Sequence, residues 1–454
     1  MHPFLEMENI LQVNVSYKQI LKIALPISFA ILVPQFNFII NNIFLGHLSE
    51  ESLAIASITG VYYLIFAGIG YGLNNGLQAL ISRRAGENRP EEIGKVFQHG
   101  VFISFAIAAT GILFTILVAP LILRTYLHSD VTYQKAISFL NIRIWGLPFL
   151  YLYQMRNAFL VGTNQSRYLV AGTIAEAISN VFFDYTLIFG QFGFPQLGFN
   201  GAAYASILSE MMGLFVIFLV IRGKGMNQRF SLWKNLEWNA KISKSILKIS
   251  GPLVLQHAMS IASWFFFFLL VERNSNQTGM AVSNAIRNIF GFFGVFVWAL
   301  SSATNSMVSN VIGQGKKDEV APLINKIMKI SVGISLVICL LLNLFPHSYL
   351  SIYGLDEAFI QAGIPVMRLI AFAMVLMSFA NIWFNAVTGT GNSSVTFLIE
   401  LSAIFVYCIY VYLALEIYQL SIFWGWMSEV LYWTILFVGS YWYIKSNRWR
   451  KKVV

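Results

Sequence analysis

Apolar stretches long enough to cross a bilayer recur along the whole of this chain, and that recurrence leaves few folds open. A helix needs about 20 mostly apolar residues to span the hydrocarbon, and inside it every backbone N–H and C=O must be satisfied internally. Read by length and charge, the runs predict twelve helices, at about 23 to 45, 55 to 82, 96 to 123, 134 to 156, 167 to 190, 198 to 221, 249 to 271, 280 to 311, 327 to 346, 360 to 387, 394 to 416 and 420 to 444. Only 11% of the 454 residues are charged and 57% are hydrophobic, where a soluble domain carries roughly 25% charged residues. The expected fold class is an all-α integral membrane protein of many spans in the lipid bilayer.

The net charge of +10 invites a reading as a nucleic-acid binder, which the placement of the charges argues against. Of 30 Lys and Arg residues, 24 lie in the N-terminal segment, in alternate loops and in the C-terminal tail: Lys18 and Lys22; Arg83, Arg84, Arg89 and Lys95; Arg156 and Arg167; Arg222 to Lys248; Lys316 to Lys329; Lys445 to Lys452. The other set of loops is nearly bare of them. By the positive-inside rule this places both termini in the cytoplasm of a plasma (inner) membrane and requires an even number of spans. Anionic lipid and topology account for the basic charge, so no nucleic-acid partner is expected. The stretch MHPFLEMENILQVNVSYKQ lacks the order of a cleaved signal peptide, so the first span is expected to remain as an anchor.

Several function classes fall away. Cys339 and Cys408 both lie inside predicted spans, so no disulfide framework or cysteine metal site is implied. No HExxH, GxSxG or Walker-type loop occurs, and GENRPEEIGK lacks the order of a phosphate-binding loop. Neither an enzyme nor an ATP-driven pump is expected, and no cofactor beyond a coupling ion.

The two halves echo each other at a shift of about 227 residues. ALPISFAILVPQF around Pro26 answers SGPLVLQHAMSIA around Pro252, LAIAS from Leu53 answers MAVSN from Met280, and RRAGEN around Gly86 answers VIGQGK around Gly313. Sharper still, VGTNQS from Val161 answers TGTGNS from Thr388, matching Gly162, Thr163 and Ser166 to Gly389, Thr390 and Ser393. Six helices in each half begin and end on one side, which predicts two six-helix lobes related by a pseudo-two-fold axis along the membrane normal. Such repeats place transport sites near the midplane. The expected division is an N-lobe over 1–222, a cytoplasmic basic linker over 223–248 and a C-lobe with a basic tail over 249–454. With Trp233 and Trp238 among its lysines, the linker suits a helix lying at the membrane interface.

Within the fifth predicted span, Glu176, Asn180 and Asp184 follow one another at intervals of four and so share one face. A carboxylate at the bilayer centre costs about 2.5 to 3.5 kcal/mol on insertion scales, which makes it a functional candidate by default. A carboxylate, an amide oxygen and a nearby hydroxyl form the hard-oxygen shell that an alkali cation takes. The same carboxylate can instead carry a proton, so sodium and proton both stay open as the coupling ion.

In order along the chain, Pro26, GENRPEEIGKVFQHG from Gly86, IRIWGLPF from Ile142 and SNVFFDYTLIFGQFGFPQLGFNGAAYASILSE from Ser179 resemble the multidrug and toxic compound extrusion (MATE) transporters over essentially the full length. The resemblance implies a twelve-helix, V-shaped carrier, monomeric, that exports small organic, often cationic and amphipathic, compounds in exchange for sodium ions or protons. It is closer to the DinF-like branch than to the NorM-like one. Mapped by motif, the DinF-like N-lobe cation site falls on Asp184, Asn180, Asn41 and Ser206. That branch has Asp on the first helix where FNFIINNIFLG places Asn41, which accepts through an amide oxygen and carries no charge. Glu176 can supply the missing carboxylate from the fifth helix, and Glu210, one turn after Ser206, can face the same pocket. The NorM-like branch adds acids on the seventh and tenth helices, where this chain has Gln256, His257, Asn381 and Asn385. Cation coupling is therefore expected in the N-lobe.

Pro26 lacks an N–H and permits a bend, so it is a hinge candidate. His257 and Arg287 are secondary candidates in the C-lobe; a buried Arg usually pairs with an acid or with carbonyls. The run WFFFF from Trp264 can grip flat cations through its ring faces. An alternative cargo is a lipid-linked precursor carried by a flippase, but flippases that bind pyrophosphate usually line the cavity with basic groups, whereas these midmembrane charges are acidic.

Overall fold

The computed structural model describes residues 11–127, 129–234, 237–274, 277–354 and 356–451. Twelve helical spans run through them in chain order: α1 Tyr17–Leu48, α2 Glu50–Gly86, α3 Pro90–Tyr126, α4 Asp130–Gly162, α5 Leu169–Phe189, α6 Phe199–Gly223, α7 Ala240–Asn274, α8 Gln277–Gly313, α9 Val320–Leu344, α10 Glu357–Gly389, α11 Ser393–Ile417 and α12 Ile422–Lys445. No strand occurs among the described residues. Eleven of the spans are long and apolar enough to cross a membrane by composition alone. The exception is α5, the helix that carries Glu176, Asn180 and Asp184. Large apolar side chains such as Leu117, Leu121, Leu340, Phe405 and Trp442 stand exposed on the spans, as lipid-facing groups must. The reading of the first residues as an uncleaved anchor falls mainly on residues 1–10, outside those described.

Two compact units divide the chain, one built on Phe29–Val254 and the other on Gln12–Ser28 and the residues from Leu255 onward. The boundary falls inside α1, just past Pro26. In the first unit α2, α3 and α4 pack mutually and α5 pairs with α6; in the second, α8, α9 and α10 pack mutually and α11 pairs with α12. The second unit centres on α10, whose Met367, Met374 and Met377 have no exposed surface.

Local geometry repeats at the same shift as the sequence. Gly162 packs so closely on α2 that a Cβ there would stand 2.7 Å from Ile81 Cγ2 and 3.3 Å from Gln78 O. Gly389 meets the corresponding positions of α8, where a Cβ would stand 2.7 Å from Asn305 O and 3.0 Å from Val308 Cβ. The C-terminal turns also match. Asn88 and Gly315 close α2 and α8 at φ 56° and 79°, and Asn164 and Gly391 close α4 and α10 at 61° and 85°. Left-handed backbone of this kind is tolerated by Asn and Gly, which explains why these loop positions interchange only between those two residues.

The fourth span is broken. Its two α-helical halves, Asp130–Arg143 and Leu147–Gly162, meet at a 3₁₀ turn, Ile144–Gly146, with Pro148 at the start of the second half. The break delivers Arg143 to Glu210 on α6, where Nη2 donates to Oε1 at 2.5 Å and Nη1 to Oε2 at 3.2 Å. Their side chains are 12% and 9% exposed, and the guanidinium also lies 3.8 Å from the centre of the Tyr63 ring. A Cβ on Gly146 would collide with Arg143 Nη1 and lie 2.8 Å from Glu210 Oε2, so this pairing needs glycine at the turn.

Side-chain amides fasten two polar segments. Gln98 Nε2 donates to the carbonyls of Ser231, Leu232 and Lys234 at 3.3, 2.8 and 3.1 Å, and Asn239 N–H donates to His99 Nε2 at 2.8 Å. Among the described residues of the linker, those up to 239 are turns clasped by α3 with the short helix Met226–Arg229, and 240–248 already form the first turns of α7. Near the start, Val13 N–H donates to Asn310 Oδ1 at 3.1 Å, Gln314 Nε2 donates to Val13 O at 2.8 Å, and Lys326 Nζ donates to Val15 O at 2.7 Å.

Two stability experiments follow from this packing. Gly389→Ala is expected to cost more than Gly162→Ala, within about 1–3 kcal/mol each, because its obstacle is a backbone carbonyl rather than a side-chain methyl. Thermal unfolding in lipid nanodiscs checks the order, and equal losses would refute it. Arg143→Met is expected to destabilise by about 3–5 kcal/mol, because it strands a buried carboxylate, and the double variant Arg143→Met/Glu210→Met to recover most of that loss. A double variant no more stable than the single one would show that packing, not charge, governs the site.

Candidate functional site

Asp184 has no exposed surface and Asn180, one turn earlier on α5, is 4% exposed. Asn41 arrives from α1. With its amide nitrogen turned toward α5, it donates to Asn180 Oδ1 at 2.9 Å, to Asp184 Oδ2, and to Asn37 O at 3.2 Å. The structure thus brings together three of the four residues mapped onto the cation site. Asp184 Oδ1 has no hydrogen-bond partner among the described residues, and no Lys, Arg or His forms an ion pair with the carboxylate there. A buried carboxylate with one oxygen held and one open must be neutralised by something small and positive.

The remaining candidates stand apart. Ser206 donates to Ala202 O at 2.9 Å within its own helix, and no hydrogen bond joins it to Asp184 among the described residues. Glu176 lies against Gly213, whose added Cβ would stand 3.3 Å from Glu176 Oε2, and within electrostatic reach of Arg143 and Glu210. Glu210, for its part, is held by Arg143. The first unit therefore has two polar centres on α5, one around Asp184 and one around the Arg143–Glu210 pair beside Glu176.

Pro26 sits inside the unbroken helix α1, where Ser28 Oγ donates back to Ala24 O at 3.1 Å. In the second unit, Arg287 is exposed and its guanidinium lies 5.0 Å from the centre of the Phe268 ring. A buried Arg paired with an acid or with carbonyls is the expectation from the sequence; Arg287 is instead exposed against this ring face, and no ion pair to it occurs among the described residues. His257 is half-buried, and Gln256 reaches the carboxylate of Glu400 on α11.

Sequence reasoning passed over Arg143, Glu400 and Glu429. Each is a charged residue inside a predicted span, and the rule that singled out Asp184 would have flagged all three. No cluster of three or more His, Cys, Asp or Glu suited to a metal ion occurs among the described residues.

The family model MatE matches residues 26–186 and 252–413, once in each half. The probable multidrug resistance protein NorM of Thermotoga maritima is 22% identical over 449 residues, covering 96% of this chain and 94% of the relative. That of Synechocystis sp. is 25% identical over 376 residues, covering 79% of each. Among solved structures, an outward-facing multidrug resistance MATE family transporter superposes with a TM-score of 0.87 at 18% identity, covering 98% of both chains. A MATE crystallised with the ligand MaL6 gives 0.90 at 19%, covering 98% of this chain and 99% of the other. Matched in both halves by the family model and along nearly its whole length by multidrug resistance relatives, the chain belongs to the MATE family, a family of membrane transporters rather than enzymes.

Proposed function

We propose that this protein is a cation-coupled antiporter that exports small organic compounds, chiefly cationic amphiphiles, by alternating access. It works as a monomer in the plasma (inner) membrane with both termini cytoplasmic, as an N-lobe over 1–222, a linker over 223–248 and a C-lobe over 249–454. The observation that carries this reading is the carboxylate of Asp184, fully buried, held on one oxygen by Asn41 and open on the other.

The coupling ion, sodium or a proton, enters at Asp184 with Asn180 and Asn41 as the nearest polar partners. Uptake removes the need for the Asn41 donor and so loosens the tie between α1 and α5. Pro26 gives α1 a place to bend in response, and the residual backbone gap at a proline makes that bend cheap. Ser206 and Glu176 become ligands only in a conformation that turns them toward Asp184. The cycle works because ion and substrate each bind the two states with different affinity, since equal affinity shifts no population.

Efflux of a fluorescent organic cation from proteoliposomes tests the reading, with sodium and pH gradients imposed separately. Wild type is expected to respond to one gradient and Asp184→Asn to neither; a variant that still couples would place the ion elsewhere, and a wild type that moves no organic cation would favour a lipid-linked cargo. Asn41→Asp puts a second carboxylate on the first. It is expected to lower the half-saturating concentration of the coupling cation by about ten-fold, because a unit charge a few ångströms away is worth more than 1 kcal/mol even at high effective dielectric. An unchanged or weaker cation dependence would remove Asn41 from the site.

A further inference from the structure

Three polar side chains of the second unit share one face of the span α8. Arg287 and Asn288 are exposed and Asn284 is half-buried, and spacings of three and four residues set them side by side on the helix. None of the three makes a side-chain hydrogen bond or an ion pair among the described residues. Arg287 is also the only Lys or Arg of α8. The acid at the end of α11, Glu416, is already engaged: it pairs with Arg273 at 3.1 Å and accepts from Asn274 Nδ2 at 2.7 Å.

A guanidinium and two amides on the surface of a membrane span are unfavourable against hydrocarbon, so this face meets water or a polar ligand rather than lipid tails. Together they offer a planar fork of N–H groups and two amide NH2 groups, donors with no carboxylate to receive them. Such a fork matches the two oxygens of a carboxylate in parallel hydrogen bonds. An aromatic floor continues from it. The guanidinium lies 5.0 Å from the centre of the Phe268 ring, and Phe268 stacks on Trp264, one turn earlier on α7, with centroids 6.0 Å apart and planes at 27°. Both rings are half-buried and keep part of their surface uncovered. A flat molecule laid along these rings points a charged substituent at Arg287. A single cation suits one oxyanion, whereas a pyrophosphate calls for several.

We propose that Arg287, flanked by Asn284 and Asn288 and set over Phe268 and Trp264, is an oxyanion subsite that selects aromatic cargo bearing a carboxylate. Zwitterions then belong to the exported compounds alongside simple cations. The inference rests on the export reading and narrows its substrate class, and it concerns binding at the second unit alone.

The experiment measures equilibrium binding by fluorescence polarisation, with the full chain in phosphatidylcholine nanodiscs. The probes are a rhodamine zwitterion with a free carboxylate and its methyl ester, a cation with the same ring system. Wild type is expected to bind the zwitterion, and Arg287→Gln to lower the ratio of zwitterion to ester affinity at least about ten-fold. Arg287→Lys keeps the charge but loses the fork, and its ratio is expected to fall between the two. Cooperative thermal unfolding confirms that each variant is folded. Should Arg287→Gln fail that check, Asn288→Leu leaves the guanidinium in place, removes one flanking donor and is expected to lower the same ratio several-fold. The proposal is overturned if wild type binds the ester alone, if it binds neither dye, or if the substitutions leave the ratio unchanged. It also falls if Arg287→Gln spares the ratio and instead lowers the phosphatidylglycerol that co-purifies with the protein, since a lipid phosphate is then the partner of the guanidinium. Binding of the ester alone leaves the export reading standing, because that reading is judged by efflux of an organic cation under imposed gradients.

Discussion

A carboxylate with no exposed surface on a helix that must lie in lipid is the constraint on which the first unit is organised. With Glu176 and Asn180 it leaves α5 the one span that is not long and apolar enough to cross a membrane by composition alone among the described residues, so its polar face must be covered by neighbouring helices. Its partner α6 packs along it, and α1 brings an amide to its acidic face. The site and the packing are thus one problem: the helix that carries the buried carboxylate is also the one that pairs along its length with α6.

The chain treats its buried acids in two ways. Glu210 receives a guanidinium through two hydrogen bonds, at the cost of a broken span and a glycine where the two side chains meet. A charge fixed this way cannot take up or release a counter-ion without losing several kcal/mol. Asp184 receives a single neutral donor, an amide. Neutral donors orient a carboxylate without cancelling it, which leaves the charge to be met by something that can leave again. Glu176, close to the fixed pair, sits between these cases: Arg143 is already committed to Glu210, so the guanidinium attracts Glu176 without binding it.

Much of this architecture was legible in the amino-acid order, for physical reasons that differ by feature. Span number and type follow from the demand that backbone polar groups be satisfied in lipid, which leaves a long apolar run no choice but helix. The repeat was readable at Gly162 and Gly389, where close approach to α2 and α8 excludes any side chain, and such positions tolerate little drift. The approach of Asn41 to Asp184 came from a motif, since residues 143 positions apart carry no local signal of contact. Other features were hidden. The linker reads as amphipathic, and only the buried Gln98 and His99 on another helix show that its carbonyls and amides are claimed elsewhere. The Arg143–Glu210 pair required knowing that α4 breaks, and the break is set by the tertiary fit of Gly146 as much as by Pro148.

Energetics limit what the single carboxylate at Asp184 can deliver. On the reading proposed above, one cation taken up in exchange for one organic cation moves no net charge, so the exchange draws on the ion's concentration gradient. Only a neutral cargo would add the roughly 2.3 kcal/mol that one elementary charge yields across 100 mV. A carrier with one exchangeable acid moves at most one charge per cycle through that site. The Asn in place of an acid at position 41 therefore has a consequence for work as well as affinity, because it removes a charge that a two-acid site would have used to hold a cation more tightly.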